Sequence, residues 1–171
     1  MLLLGKLIDE DLITCSLSSK DKGGVIEEMV ELFVKKGIVR DKDDFCTTVK
    51  KREEVESTAI GEGIAIPHGR AKTVNSLKVA FGKSKQGVDF ASLDKKPVYL
   101  IFMIAAPIDV RKEYLQSVAK IVRLLKSKVM KEALFKAETP KDVMRLIADF
   151  DNMVIEEIKV KTKEGRVVYR K

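Results

Sequence analysis

The sequence predicts an α/β domain: a mixed β-sheet flanked by helices on both faces, three layers in all, with a β-hairpin appended at the C-terminus. Three observations predict it. Residues 77–82 and 97–105 are apolar runs rich in β-branched or aromatic side chains, the pattern of buried strands. Stretches with apolar residues at helical spacing lie before and after them, and strands interleaved with helices form a sheet covered on both sides. Residues 153–171 change character and alternate in part, as hairpin strands do. A chain of 171 residues suits one domain. Residues 1–150 read as its body and residues 151–171 as the extension.

The elements follow in order. Residues 1–14 read as a strand-like or short helical start. Ser18-Ser19-Lys20-Asp21 is a cap for a helix carrying Val25, Ile26, Met29, Val30, Phe33 and Val34 at helical spacing, which stops at Gly37. Asp41 or Asp43 caps a second helix that reaches about Val55. Residues 57–63 read as a glycine-containing loop, and Ile64-Ala65-Ile66 as a short strand stopping at Pro67-His68-Gly69. Residues 87–90 form an extended piece between the two buried strands, and Pro107 ends the second. From Arg111 a long helix sets Leu115, Val118, Ile121, Val122, Leu125 and Val129 on one face, with Lys112, Lys120, Arg123, Lys126 and Lys131 opposite. Thr139-Pro140 opens a final helix, with Thr139 as N-cap and Pro140 in the first helical position, running to about Phe150. In the tail, residues 154–161 and 166–169 read as strands joined through Lys163-Glu164-Gly165.

Composition excludes several functions. With 45% hydrophobic and 35% charged residues the chain is neither disordered nor membrane-embedded. The longest apolar run at the N-terminus, Met1-Leu2-Leu3-Leu4, is far short of the roughly 20 residues of a spanning helix. A cytoplasmic protein with reduced thiols is expected, and Cys15 and Cys46 read as small core residues. One histidine with two cysteines excludes a Cys/His zinc cluster, so no metal is expected. The net charge of +7 is uneven: residues 1–70 carry 11 basic and 14 acidic side chains, residues 71–171 carry 22 and 12. Seven Phe, three Tyr, no Trp and no clear helix-turn-helix argue against nucleic acid as the partner of the basic half.

Any imidazole chemistry falls to His68. It lies at the end of an apolar strand, where α/β sheets place reacting groups. Pro67 restricts the backbone before it; Gly69 allows a turn and leaves space beside the ring. A neutral imidazole nitrogen is a nucleophile, but a histidine that merely satisfies its surroundings fits the position too. Arg52, in Lys51-Arg52-Glu53-Glu54, reads either as part of a solvated helix face or as a guanidinium able to hold a phosphoryl group in two-point fashion. Gly61-Glu62-Gly63 is neither a dinucleotide fingerprint nor a P-loop.

Taken together, Arg52-Glu53, Ser57-Thr58, Ile60-Gly61-Glu62-Gly63 and Ile64-Ala65-Ile66-Pro67-His68 resemble the active-site stretch of enzyme IIA domains of the phosphotransferase system, fructose/mannitol type. Gly87-Val88-Asp89-Phe90, the strand from Pro97 to Ala105, Ala106-Pro107 and the helix with Leu115 and Leu124-Leu125 match as well. The resemblance covers about residues 1–150. It implies a phosphoryl carrier that takes phosphate from the phosphocarrier protein HPr and gives it to a IIB domain for sugar uptake, with a membrane IIC component as a further associate. Stand-alone regulators of the nitrogen-regulatory kind share the motifs and imply a regulatory target protein instead. In either case His68 matches the nucleophile, through its Nε2, and Arg52 the arginine that stabilises phosphoryl charge. Glu62 and Gly69 match positions near the site. Where the family usually carries a second histidine before a leucine, this chain has Tyr114 before Leu115. The resemblance implies no cofactor.

Overall fold

The protein is described by a computed structural model over residues 1–163. Two 3-10 turns, Leu4–Lys6 and Glu10–Leu12, lead into β1 (Ile13–Thr14). The Asp21 carboxylate accepts the Gly24 N–H at 2.9 Å and starts α1 (Lys22–Lys35). Gly37, at φ 73°, takes the left-handed conformation that ends it. Asp41, of the two expected caps, accepts the Asp44 N–H at 3.0 Å and starts α2 (Lys42–Val55). Three short strands follow: β2 (Ala59–Gly61), β3 (Ile64–Ala65) and β4 (His68–Arg70). Then come β5 (Lys78–Val88) and β6 (Val98–Ala106). The helices α3 (Arg111–Lys126), α4 (Lys128–Lys136) and α5 (Pro140–Lys163) close the described chain.

The sheet is mixed, in the order β1-β5-β6-β3-β2, with β4 also on β6. β5 and β6 are antiparallel at its centre; β1 runs parallel to β5, and β3 and β4 run parallel to β6. Residues 100–106 of β6 are all buried. Side chains alternate between the two faces of a sheet. Gly82 and Gly69 face α1 and α2 on one side, as their nearest neighbours Met29 and Thr48 show. His68 faces the other side, where Tyr114 of α3 packs against it. The result is three layers, α1 and α2 below and α3 to α5 above.

Five expectations are corrected. His68 does not follow the strand; it begins one. Pro67 has no N–H to give the ladder, so pairing lapses and then resumes at His68 opposite Ile104, with the Pro67 carbonyl accepting the Ile104 N–H at 3.1 Å. Ala59–Gly61, within the expected loop, is a strand paired antiparallel to β3. The long helix breaks at Ser127, whose hydroxyl caps α4 by accepting the Met130 N–H at 3.3 Å. The buried stripe of α3 is Ser117, Ile121, Leu124 and Leu125, so Leu115 and Val129, expected inside, are 53% and 75% exposed.

The fifth correction is the tail. Residues 154–161, expected as a hairpin strand, are helical, and α5 passes Phe150 without interruption. Thr139 caps α5 as expected, accepting the Asp142 N–H at 3.2 Å. Val143, Ile147, Phe150 and Val154 keep its core face at helical spacing. Asp151, 6% exposed, accepts the N–H groups of Leu4 (3.0 Å) and Gly5 (2.8 Å), and Arg123 of α3 pairs with Glu157. These contacts give the extension a helical seat that a strand would forfeit. The second expected strand, residues 166–169, lies outside the described residues. Among those described, no helix is long and apolar enough to cross a membrane.

Candidate functional site

β4 pairs with β6 alone, so one of its sides is a free edge of the sheet. Around that edge the end of α2 and the start of α3 approach each other from opposite faces. His68 stands where they meet.

Its ring is part-buried. The Ile66 carbonyl lies 2.6 Å from Nδ1. A carbonyl oxygen can only accept, so Nδ1 carries the proton and Nε2 keeps its lone pair. Burial, chiefly, pushes the imidazole below its ordinary value of 6.5. The hydrogen bond to Ile66 acts the other way, Arg52 adds to the lowering, and Glu53 opposes it. The ring is therefore neutral near pH 7 with Nε2 free to attack.

Arg52 arrives from α2. Phe45, Val49 and Arg52 fall three and four apart on one stripe of that helix. Gly69 lets the stripe lie close on β4: a Cβ there would meet Thr48 Cγ2 at 3.2 Å, Phe45 Cε2 at 3.3 Å and Val49 Cγ2 at 3.3 Å. The space Gly69 leaves is thus filled by α2, not by the imidazole's neighbourhood. One Arg52 N–H donates to the Glu56 carbonyl at 2.9 Å, beyond the end of α2. Beside it, Glu53 is 6% exposed; it accepts from Thr58 and pairs with Lys22 Nζ at 2.6 Å. This buried carboxylate fixes the end of α2 on the segment leading to β2.

Tyr114 arrives from α3. Its ring stands edge-on to the His68 ring, centroids 5.5 Å apart. Burial pushes its phenol up, against the pull of Arg52 and Arg70, so the hydroxyl stays protonated and able to donate.

Glu62 is not brought to His68. It occupies the turn between β2 and β3 at φ 55°, is exposed, and pairs with Lys131 of α4 while its N–H donates to Asp94 at 2.9 Å. After the turn the chain runs extended along β6 from Ile64, opposite Leu100, to His68, opposite Ile104, which carries His68 roughly 13 Å away from the turn. Closeness in sequence gave no closeness in space. Glu53 and Arg70 were missed as members of the surroundings. Arg70 was readable, since residues two apart on a strand share a face.

Elsewhere, burial pushes the Cys15 and Cys46 thiols up, as suits inert packing residues. Among the described residues no three His, Cys, Asp or Glu side chains gather as metal ligands would.

A neutral imidazole with one nitrogen locked and the other free, beside a guanidinium and a phenol at a sheet edge, is the kind of site that accepts a phosphoryl group. The fold and the sequence lead to the same class of protein. Residues 6–150 match the family described as phosphoenolpyruvate-dependent sugar phosphotransferase system, EIIA 2, and the chain belongs to that family. It is 36% identical over 146 residues to the PTS system fructose-specific EIIABC component of Bacillus subtilis (strain 168), spanning 85% of this chain but only 23% of that protein. It is 34% identical over 139 residues to the fructose-specific EIIA component of Haloferax volcanii, spanning 81% and 90%. Among solved structures it resembles the nitrogen regulatory protein IIA-Ntr of Neisseria meningitidis (TM-score 0.78, 27% identity, 84% of this chain and 97% of that one). It also resembles enzyme IIA of mannitol from Escherichia coli in complex with phosphorylated enzyme IIB (TM-score 0.72, 26% identity, 83% and 97%).

Proposed function

We propose that this protein is a phosphohistidine carrier of the sugar phosphotransferase system, taking a phosphoryl group from phospho-HPr on His68 and passing it to a IIB domain in fructose- or mannitol-type uptake. The observation that supports this best is the Nδ1–H bond to Ile66, which leaves Nε2 as the nucleophile. Nε2 attacks phosphorus in line; as the Nε2–P bond forms, the donor's N–P bond breaks and its electron pair returns to the donor ring. Arg52 offsets the charge spread over the phosphoryl oxygens, and the Tyr114 hydroxyl donates to one of them. Val55, Ile108 and Leu115, 82%, 48% and 53% exposed, lie on the segments that surround His68 and give a partner an apolar rim.

The fructose-specific relatives favour sugar uptake. The likeness to IIA-Ntr favours a second reading, a regulator whose phosphorylation state controls a target protein. The same site serves both. Incubation with radiolabelled phosphoenolpyruvate, enzyme I and HPr is expected to place one acid-labile phosphate on the protein, and His68→Ala to abolish it. A wild type that stays unlabelled with a cognate HPr would overturn the carrier role. Onward transfer to a IIB domain separates uptake from regulation.

A further inference from the structure

We infer that Arg70 is a second phosphoryl-binding guanidinium, held by Tyr114 at the rim of the His68 site and acting together with Arg52. The inference deepens the carrier reading and rests on it.

His68 and Arg70 are residues 1 and 3 of β4, so both project from one face, roughly 6.5 Å apart along the strand. A phosphoryl group on the imidazole and a guanidinium fork reaching toward it fill a gap of that size. Two contacts pre-set the fork. One N–H donates to the Ile108 carbonyl at 2.9 Å, and the guanidinium lies over the Tyr114 ring, 5.6 Å from its centroid. Tyr114 in turn packs edge-on against His68. The ring therefore links the arginine to the nucleophile and restricts where its charge can sit.

Both arginines are free for a further anion. Neither Arg52 nor Arg70 forms an ion pair among the described residues; each spends N–H donors on one backbone carbonyl. A guanidinium has five N–H donors, so each retains most of them. Glu53, the acidic group nearest this cluster in its effect on His68, is committed to Lys22 and Thr58. Two guanidiniums beside a phenol and an imidazole, neither ion-paired to a carboxylate among the described residues, suit a ligand carrying two negative charges. A phosphoryl group on nitrogen carries that charge. In the unphosphorylated protein the Arg70 guanidinium lies over the Tyr114 ring and pulls its phenol down against burial.

The test uses the single histidine. Phosphoramidate phosphorylates imidazoles without a protein donor, so the label falls on His68 in the full chain whatever the partner. The wild type, Arg70→Gln and Arg70→Lys are phosphorylated in this way and followed by 31P NMR across pH and by loss of label at neutral pH. Arg70→Gln is expected to raise the phosphoryl group's own titration, since loss of a nearby positive charge disfavours the dianion, and to change the rate of hydrolysis about tenfold. Arg70→Lys, which keeps the charge, is expected to hold the wild-type titration. A purely structural arginine would lower melting temperature in Arg70→Gln and leave the phosphorus titration where it was. That result, or a Lys variant as displaced as Gln, overturns the inference. An unlabelled wild type would instead count against the carrier reading itself.

Discussion

Replacing Gly69 by alanine links packing to function in one step. The new Cβ would lie 3.2–3.3 Å from three side-chain carbons of α2, on Thr48, Phe45 and Val49. Phe45 and Val49 are both 0% exposed, so neither has a free direction in which to retreat. Relief has to come from lifting α2 off β4 by a few tenths of an ångström. Overpacking of this kind costs about 1–3 kcal/mol, and in a domain of this size each kcal/mol lowers Tm by about 2–4 °C. Arg52 lies on the same stripe one turn further on and moves with the helix. Gly69→Ala should therefore lower Tm by several degrees and also slow labelling by phospho-HPr several-fold. Gly37→Ala is the control. It forces a left-handed alanine at φ 73°, where nothing lies within 4 Å, and costs about 1–2 kcal/mol with no change in labelling rate. Calorimetry and a labelling time course on both variants decide the matter. A Gly69→Ala protein with wild-type Tm, or one whose stability falls while labelling does not, would refute the coupling of α2 to the site.

Three further outcomes are expected. Arg52→Ala should slow labelling about 100-fold, the usual loss for one preorganised charge-stabilising donor, with Tm within a degree or two; an unchanged rate removes the assigned role. Acidification should destabilise the protein through His68, because its folded value lies below the unfolded value of 6.5. Between the two, the unfolded chain binds a proton that the folded chain does not, so stability is intact above 6.5 and falls as pH drops through that window. His68→Gln should flatten this part of the stability profile, and urea titrations at pH 5 to 8 that show no difference would contradict it. Asp151→Ala should cost about 2–4 kcal/mol by leaving the Leu4 and Gly5 N–H groups without an acceptor, while labelling stays normal; an unchanged Tm would contradict the seat described for α5.

Much of the fold was written in local signals. Asp21, Asp41 and Thr139 cap the helices they precede, and the β5–β6 pair lies where the apolar runs lie. What failed did so where tertiary contacts outweigh local preference. Val154, Ile155, Ile158 and Val160 are β-branched and suggest a strand, but Val154 and Ile158 continue the face of Val143, Ile147 and Phe150 against the core. Ser127 is a good cap, yet the apolar stripe around it ran on to Val129 and concealed the break.

The site divides the same way. His68, Arg52 and Tyr114 meet because three separate elements reach one free sheet edge, and motif residues announce that more readily than any periodicity. Glu62 belongs to the same motif and is carried off by the extended chain. Gly69 serves the packing of α2, which only the helix seated upon it reveals. Arg70 was within reach of simple alternation along β4. Residues matter to this site through the face they share and not through their distance along the chain.

The central claim is that the structure selects one nitrogen of one ring. Nδ1 is committed to the Ile66 carbonyl at 2.6 Å, and Nε2 is left to react. Phosphorylating the 15N-labelled protein with phosphoenolpyruvate, enzyme I and HPr, then recording two-bond couplings and 15N–31P correlations of its single imidazole, tests this directly. The account predicts phosphorus on Nε2 with Nδ1 still protonated. Phosphorus on Nδ1, or a histidine that remains unmodified while the donor stays charged, would contradict it.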